Sequence, residues 1–516
     1  MSWLFLFVAL SGAAPEPTGA PGAATSTLVD LSDDWVPRIL SDDPTSAEAG
    51  RHPYRAEFIR LANYPSDPDE RFLELYGIPP SVTVMAGRLL DEARHRCHAD
   101  APALPLPAPH AGARALVLVV QAHLRCEGLL DRSLDGVLDG ATVTALRLYQ
   151  REQAIIGSGA LDAETREALA TDSRELDFRA LLRVLRERVV DATGVIEDGS
   201  ALGRAGTVLG RRLECREMRW TDRLPPLPGG APDLVSPLTE EAARALGWID
   251  PEAAAGYFRR AGVESIRSLR VRLPLDSPPA YHRPEMILRS EIITGGRRPE
   301  LRLIARPDPA LDVRDVVLVR WPTTKGGWQH EKIDPASVVM KRKPSAMGSF
   351  VWRDLVTAPA WFPPDTTPDE ELVRKLPGGG FRANREAVGP GYHSAYGLVM
   401  LVHHRPPPIW NGEESPALFD AQTRTHGTAS YRSVLHGESH GCHRLYSPLA
   451  IRLGSFLLAH RRSIRRGPIV AHYRRMVVWR GRRIPLRADT RGYLYELTPP
   501  VPVRVTSHDR SAAVDR

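Results

Sequence analysis

Near Ser265 the apolar residues of this chain change period, from helical spacing to short runs broken by Pro and Gly. That switch limits the fold to helical modules followed by a sheet. Ahead of it, Leu116, Val119, Val120 and Leu124 recur at the spacing of one helix face. Thr239-Glu240-Glu241 opens a later helix that Gly247 closes, and Asp250-Pro251 starts the next. Behind the switch, Leu269 to Leu273, Leu301 to Ala305, Val316 to Trp321 and Gly397 to His403 read as strands. One helix interrupts them, from Pro448 to His460, with an apolar face of Leu449, Leu453, Phe456 and Leu457; Met476 to Val505 reads as further strand. The expected class is multidomain α+β, and 516 residues supply roughly two to four cores.

Composition places the boundaries. Residues 1–20 hold an apolar run, Trp3 to Leu10, followed by small residues as in a secretory signal, although no Lys or Arg precedes it. The run is too short to span a bilayer, so no transmembrane span is expected and export to the periplasm or cell wall is. Residues 21–52, rich in Pro, Gly, Ala, Ser and Asp, read as a flexible leader, with order starting near Pro53. A helical region at 53–100, a stiff Pro-rich linker at 101–111 and a small helical module at 112–172 follow. Residues 178–262 read as a helical spacer or cover, 265–470 as the mostly β domain, and 471–516 as a β-rich tail that finishes or braces it.

The 68 Lys and Arg against 62 Asp and Glu leave +6, too mild an excess to argue for nucleic acid. Arginines crowd the C-terminal part, at Arg461-Arg462, Arg465-Arg466, Arg474-Arg475 and Arg480 to Arg483, where a solvated face is the simplest explanation. There are four cysteines; if Cys442 stays free, Cys97 and Cys126 are the preferred disulfide, since they flank the linker where two helices can meet.

Ser439-His440-Gly441-Cys442-His443-Arg444 carries the chemistry. A thiol attacks as thiolate, so Cys442 needs an imidazole or converging amide dipoles, and Thr425-His426-Gly427-Thr428 stands a short loop upstream. Gly441 permits a sharp turn that points amide N–H groups at an attacked carbonyl. A strand, turn and helix there would set Cys442 at an edge near a helix N-terminus, lowering its pKa.

The pattern His-Gly-Thr, loop, Ser-His-Gly-Cys-x-Arg resembles the signature of the L,D-transpeptidase (YkuD-like) catalytic domain. The resemblance implies a mostly β catalytic domain with Cys442 as nucleophile, His426 as general base and His440 in support. It further implies Ser439 and Gly441 shaping the turn and Arg444 orienting a substrate carboxylate. It implies acyl transfer from a peptidoglycan tetrapeptide stem with release of D-Ala, and no cofactor. Trp361, in Pro359-Ala360-Trp361-Phe362-Pro363-Pro364, either lines the donor cleft or belongs to a loop pinned by its own aromatics. The chain departs from the family at Pro344 to Phe350, where Thr-Pro-x-Gly is usual, and at His443, where an aliphatic residue is usual; His443 is then a second polar group or merely exposed.

Upstream, Gln121, Leu124, Gly128, Asp135-Gly136, Thr142, Ala145-Leu146, Gln150, Gly159, Asp162, Thr165 and Leu169 resemble the three-helix peptidoglycan-binding module, with Asp162 capping its third helix. Peptidoglycan is therefore the expected partner. Three other activities fit parts of the pattern. They are an L,D-carboxypeptidase on the same site, a wall peptidase with zinc on His426, His436, His440 and Cys442, and a non-catalytic wall-binding scaffold. Gly437 and Gly441 argue against a ligand-bearing helix for the zinc reading.

Overall fold

The computed structural model describes residues 26–35, 37–40, 81–102, 113–153, 159–196, 200–201, 237–275, 287–295, 299–306, 315–334, 337–376, 379–389, 391, 394–406, 418–428 and 431–507. The expected signal segment, most of the expected leader, residues 53–80, most of the Pro-rich linker and Cys215 lie outside the described residues.

Two helices, α1 (Val82–Leu89) and α2 (Glu92–Asp100), precede a three-helix module of α3 (Ala113–Cys126), α4 (Gly140–Glu152) and α5 (Ala163–Ala170). The module closes over Val120, Leu124, Leu130, Ala145, Leu146, Tyr149 and Leu169. Two buried glutamines build its turns in the same way. Gln121 accepts from the N–H groups of Asp135 and Gly136 and donates to the Thr142 hydroxyl at 3.2 Å. Gln150 accepts from Gly159 N–H and donates to the Thr165 hydroxyl at 2.8 Å. In both turns an aspartate, Asp139 or Asp162, takes the threonine N–H and starts the next helix.

A disulfide joins Cys97 on α2 to Cys126 on α3. Around it, Glu127 contacts Arg88, Arg94 and His98, while Asp177 contacts Arg88 and Arg94, so the module is fixed to its neighbours by buried charge pairs.

The long helix α6 (Ser173–Thr193) connects the two halves of the molecule. Asp172 caps its start, and its apolar face, Phe178, Leu181, Leu182 and Leu185, packs with α7 (Pro237–Ala245), α8 (Pro251–Ala261) and α9 (Val263–Ile266). Its other face carries Glu187, which binds Arg452 of the sheet half at 2.6 Å, both side chains being buried. This part of residues 178–262 therefore covers the sheet domain.

The strands are β1 (Ser26–Asp30), β2 (Arg270–Pro274), β3 (Ile287–Ile293), β4 (Glu300–Arg306), β5 (Val316–Pro322), β6 (Lys325–Gly326), β7 (Trp328–Asp334), β8 (Ser337–Arg342) and β9 (Gly348–Thr357). After them come β10 (Val373–Lys375), β11 (Phe381–Ala383), β12 (Val399–Arg405), β13 (Phe419–Thr428), β14 (Glu438–Ser439), β15 (His443–Tyr446), β16 (Arg462–Trp479) and β17 (Arg482–Thr506). Short helices α10 (Arg385–Val388) and α11 (Tyr431–His436) lie between them, and α12 (Ser447–His460) follows β15. The main sheet runs β15-β13-β12-β9-β17-β3-β4-β5, with β16 paired to β17. α12 lays Leu449, Leu453, Phe456 and Leu457 on a core that includes Trp321, Trp352, Leu355, Leu401 and Tyr493.

Two boundaries differ from the sequence reading. The leader holds a strand: β1 pairs with β2, and Leu31, Trp35, Ile39 and Leu40 are buried, the last three in the sheet-domain core. Composition hid this, because the Pro and Gly that flank 26–40 dominate the average while the apolar residues inside it are few. The strands expected to finish or brace the domain from 471 on belong to the main sheet itself, and the boundary at 470 falls inside one of them. β16 crosses residue 470 unbroken, and β17 is the central strand between β9 and β3, because strand texture carries no pairing order.

Candidate active site

Parallel pairing of β13 with β15 sets Thr425 opposite His443 and His426 opposite Arg444 at the sheet edge. Alternation along each strand then puts Arg424 and His426 on the face that carries Cys442 and Arg444. Thr425, His443 and His403 take the other face, where His403 Nε2 meets the Thr425 hydroxyl at 2.8 Å and its ring lies 5.5 Å from that of His443.

The turn that presents Cys442 is clamped from below. Ser439 is buried; its hydroxyl lies 2.5 Å from the Cys442 carbonyl and 3.1 Å from the Lys325 carbonyl, its one proton shared between them, and accepts from Gly441 N–H at 3.1 Å. Thr324 Oγ1 donates to the Cys442 carbonyl and accepts from Arg444 N–H, each at 2.8 Å. Ser345 donates to the Gly441 carbonyl and accepts from Gly326 N–H, both at 2.9 Å. Gly441 holds φ +104°, a left-handed backbone that a side chain at this position would strain. Because Gly441 N–H is engaged by Ser439, it is not one of the free donors expected for an attacked carbonyl.

His426 is buried; its Nδ1–H donates to the Gly427 carbonyl at 2.6 Å, which leaves Nε2 as the unprotonated nitrogen. The ring meets Tyr396 edge to face at 4.9 Å. No hydrogen bond joins His426 to the Cys442 sulfur. Burial, then the Arg444 cation, holds the His426 imidazole down to about 3. Burial also pushes the Cys442 thiol up, against the Arg424 main-chain amide and the Arg424 and Arg444 guanidiniums, which favour the thiolate.

The expected lowering of the thiol by a helix N-terminus is therefore corrected. Strand β15 stands between the turn and α12, and desolvation outweighs the nearby cations. Arg424 is itself held by a bidentate pair to Asp420 at 2.6 Å. Arg444 has no carboxylate partner among the described residues, and its buried Nε makes no hydrogen bond.

The other expected residues separate. His440 is exposed on the turn and His436 is exposed at the end of α11. His443 is fully buried rather than exposed, with Nδ1 donating to the Thr324 carbonyl at 2.9 Å. Trp361 packs with Leu372, Val388, Val477 and Leu486 in the cluster under the β16–β17 hairpin, its neighbour Phe362 stacks on Tyr473 at 4.9 Å, and the Pro363 carbonyl accepts from Tyr473 Oη.

Arg424, Asp420, Tyr396, Thr324 and Ser345 went unread in the sequence. Arg424 was findable, since it lies two residues before His426 in an alternating strand. Ser345 sits in the stretch that departs from the family, and Tyr396 carries no local signal. Among the described residues no three His, Cys, Asp or Glu side chains converge to hold a metal ion.

Among known families, residues 113–169 match the one described as "Putative peptidoglycan binding domain". The match covers the Gln121 and Gln150 turns and ends well before Cys442. No curated protein matches the chain. No helix among the described residues is long and apolar enough to cross a membrane. The three-helix module and its match associate this chain with peptidoglycan, and so with the cell wall.

Proposed function

We propose that the chain is an exported, cysteine-dependent L,D-transpeptidase acting on peptidoglycan tetrapeptide stems. The observation that carries the reading is the parallel β13–β15 pairing, which gathers Cys442, His426 and Arg444 on one sheet face, in a chain whose module at 113–169 matches a wall-binding family. His426 Nε2, left bare by the Nδ1–Gly427 bond, takes the Cys442 proton as the sulfur attacks the carbonyl of the third stem residue. The tetrahedral adduct collapses, the C–N bond to D-Ala breaks, and the imidazolium returns the proton to the leaving amine. An acceptor amine then attacks the thioester and frees Cys442. Arg444, which makes no ion pair with a carboxylate among the described residues, binds a stem carboxylate.

A carbapenem tests this reading. The intact mass of the wild-type chain gains one adduct, mapped to Cys442, and Cys442→Ala gains none. A second reading, a wall-binding scaffold, is favoured by the missing hydrogen bond between Cys442 and His426. It predicts sacculus binding with neither adduct nor release of D-Ala.

A further inference from the structure

β7 and β8 form a two-stranded ribbon beside the Cys442 turn, joined to it where Gly327 N–H donates to the Ser439 carbonyl. One face of the ribbon is tied to the molecule. Glu331 is buried there against Lys343 and Thr366, and the main chain of β7 bonds the Thr366 carbonyl through Lys332 N–H at 2.7 Å. The other face is open. Trp328 is 58% exposed, Met340 50% and Val338 48%. All six residues of β8 are exposed, and among the described residues no strand pairs with its outer edge.

A lone two-stranded ribbon is marginal in water, and an unpaired edge carrying large apolar side chains invites another strand. We propose that β8 pairs antiparallel with β8 of a second copy of this chain, joining the two ribbons into one four-stranded sheet around a two-fold axis. The edge is self-complementary. With Val339 on the axis, Val338 stands opposite Met340 of the second copy and Ser337 opposite Lys341, so apolar meets apolar and no cation faces a cation. Lys341 and Arg342 sit at one end of the strand, where they deter uncontrolled stacking and leave Val338 to Met340 free. A six-residue edge is a small interface, so the association is reversible. The proposal does not depend on the chemistry assigned to Cys442.

Sedimentation equilibrium of the full chain over a micromolar concentration series tests it. The wild type behaves as a reversible monomer–dimer system. Val339→Lys, which opposes two cations across the axis, stays monomeric with an unchanged far-UV circular dichroism spectrum. Under mild oxidation Val339→Cys forms a covalent dimer linked through residue 339, mapped by peptide mass. Three results overturn the proposal: a wild-type monomer throughout the series, a dimer that a folded Val339→Lys leaves intact, or no 339–339 link. A wild-type monomer that floats with anionic vesicles also overturns it, in favour of a membrane surface.

Discussion

Cys442 and His426 stand on one sheet face as neutral groups, and this sets the pH at which the thiol can react. Burial raises the thiol pKa and depresses that of the imidazole, so near pH 7 neither carries charge. The iodoacetamide alkylation rate of Cys442 should therefore keep climbing above about pH 8.5, the usual thiol midpoint. A plateau reached by pH 7 would contradict the neutral pair. Arg424 favours the thiolate, so Arg424→Met should move that profile to still higher pH, while an unmoved profile would deny Arg424 its role. Losing the Arg444 cation, as Arg444→Met, should lower kcat/KM on a stem carrying free carboxylates by about 10²–10³. At this scale the sequence exposes Cys442 and His426, the proposed nucleophile and base, because residue type and spacing single them out. It hides Tyr396 and Ser345, because they reach the site only through the folding of distant segments.

The turn from Ser439 to Arg444 is an element held by others. Thr324 Oγ1 both donates to the Cys442 carbonyl and accepts from Arg444 N–H, so Thr324→Val leaves a main-chain N–H without its partner. The expected loss is about 1–3 kcal/mol in urea unfolding, with slower acylation of Cys442. An unchanged midpoint and rate would show the clamp to be redundant. Gly427 belongs to the same design. A Cβ there would lie 3.2 Å from Ser447 Oγ and 3.4 Å from the Ala450 Cβ, so the glycine lets α12 close on the strand that carries His426. The helices were largely legible from caps and spacing, since Asp250 and Asp162 cap α8 and α5 as their positions predict. The short β15 between turn and helix was not legible, because four residues give too little alternation to read and its pairing with β13 is non-local.

Across the whole molecule, buried neutral histidines tie stability to pH. Burial is the first cause of the lowered pKa of His95, His123 and His403, and it holds His443 down to about 4 and His426 to about 3. Each binds its proton less readily folded than unfolded, so the unfolded chain takes up more protons as pH falls and stability falls with it. The loss should begin near pH 6.5, the unfolded histidine value, and continue toward the folded values. Glu127 adds to it at lower pH: against the push of burial, Arg88, His98 and Arg94 hold its carboxyl well below the usual range. A melting temperature that stays flat from pH 7 to pH 4.5 would contradict this. Helix-then-sheet order was readable from the period change near Ser265, whereas the place of β1 beside β2 and the central place of β17 between β9 and β3 were not, since both depend on pairings between segments far apart in sequence. The proposed function joins a wall-binding module to a thiol that transfers stem peptides. Its most direct test is muropeptide mass analysis of tetrapeptide-rich sacculi after incubation with the wild type and with Cys442→Ala. Free D-Ala and newly joined stems should appear with the wild type alone, while both proteins sediment with the sacculi. Identical muropeptides from the two would rule out stem-peptide transfer by Cys442.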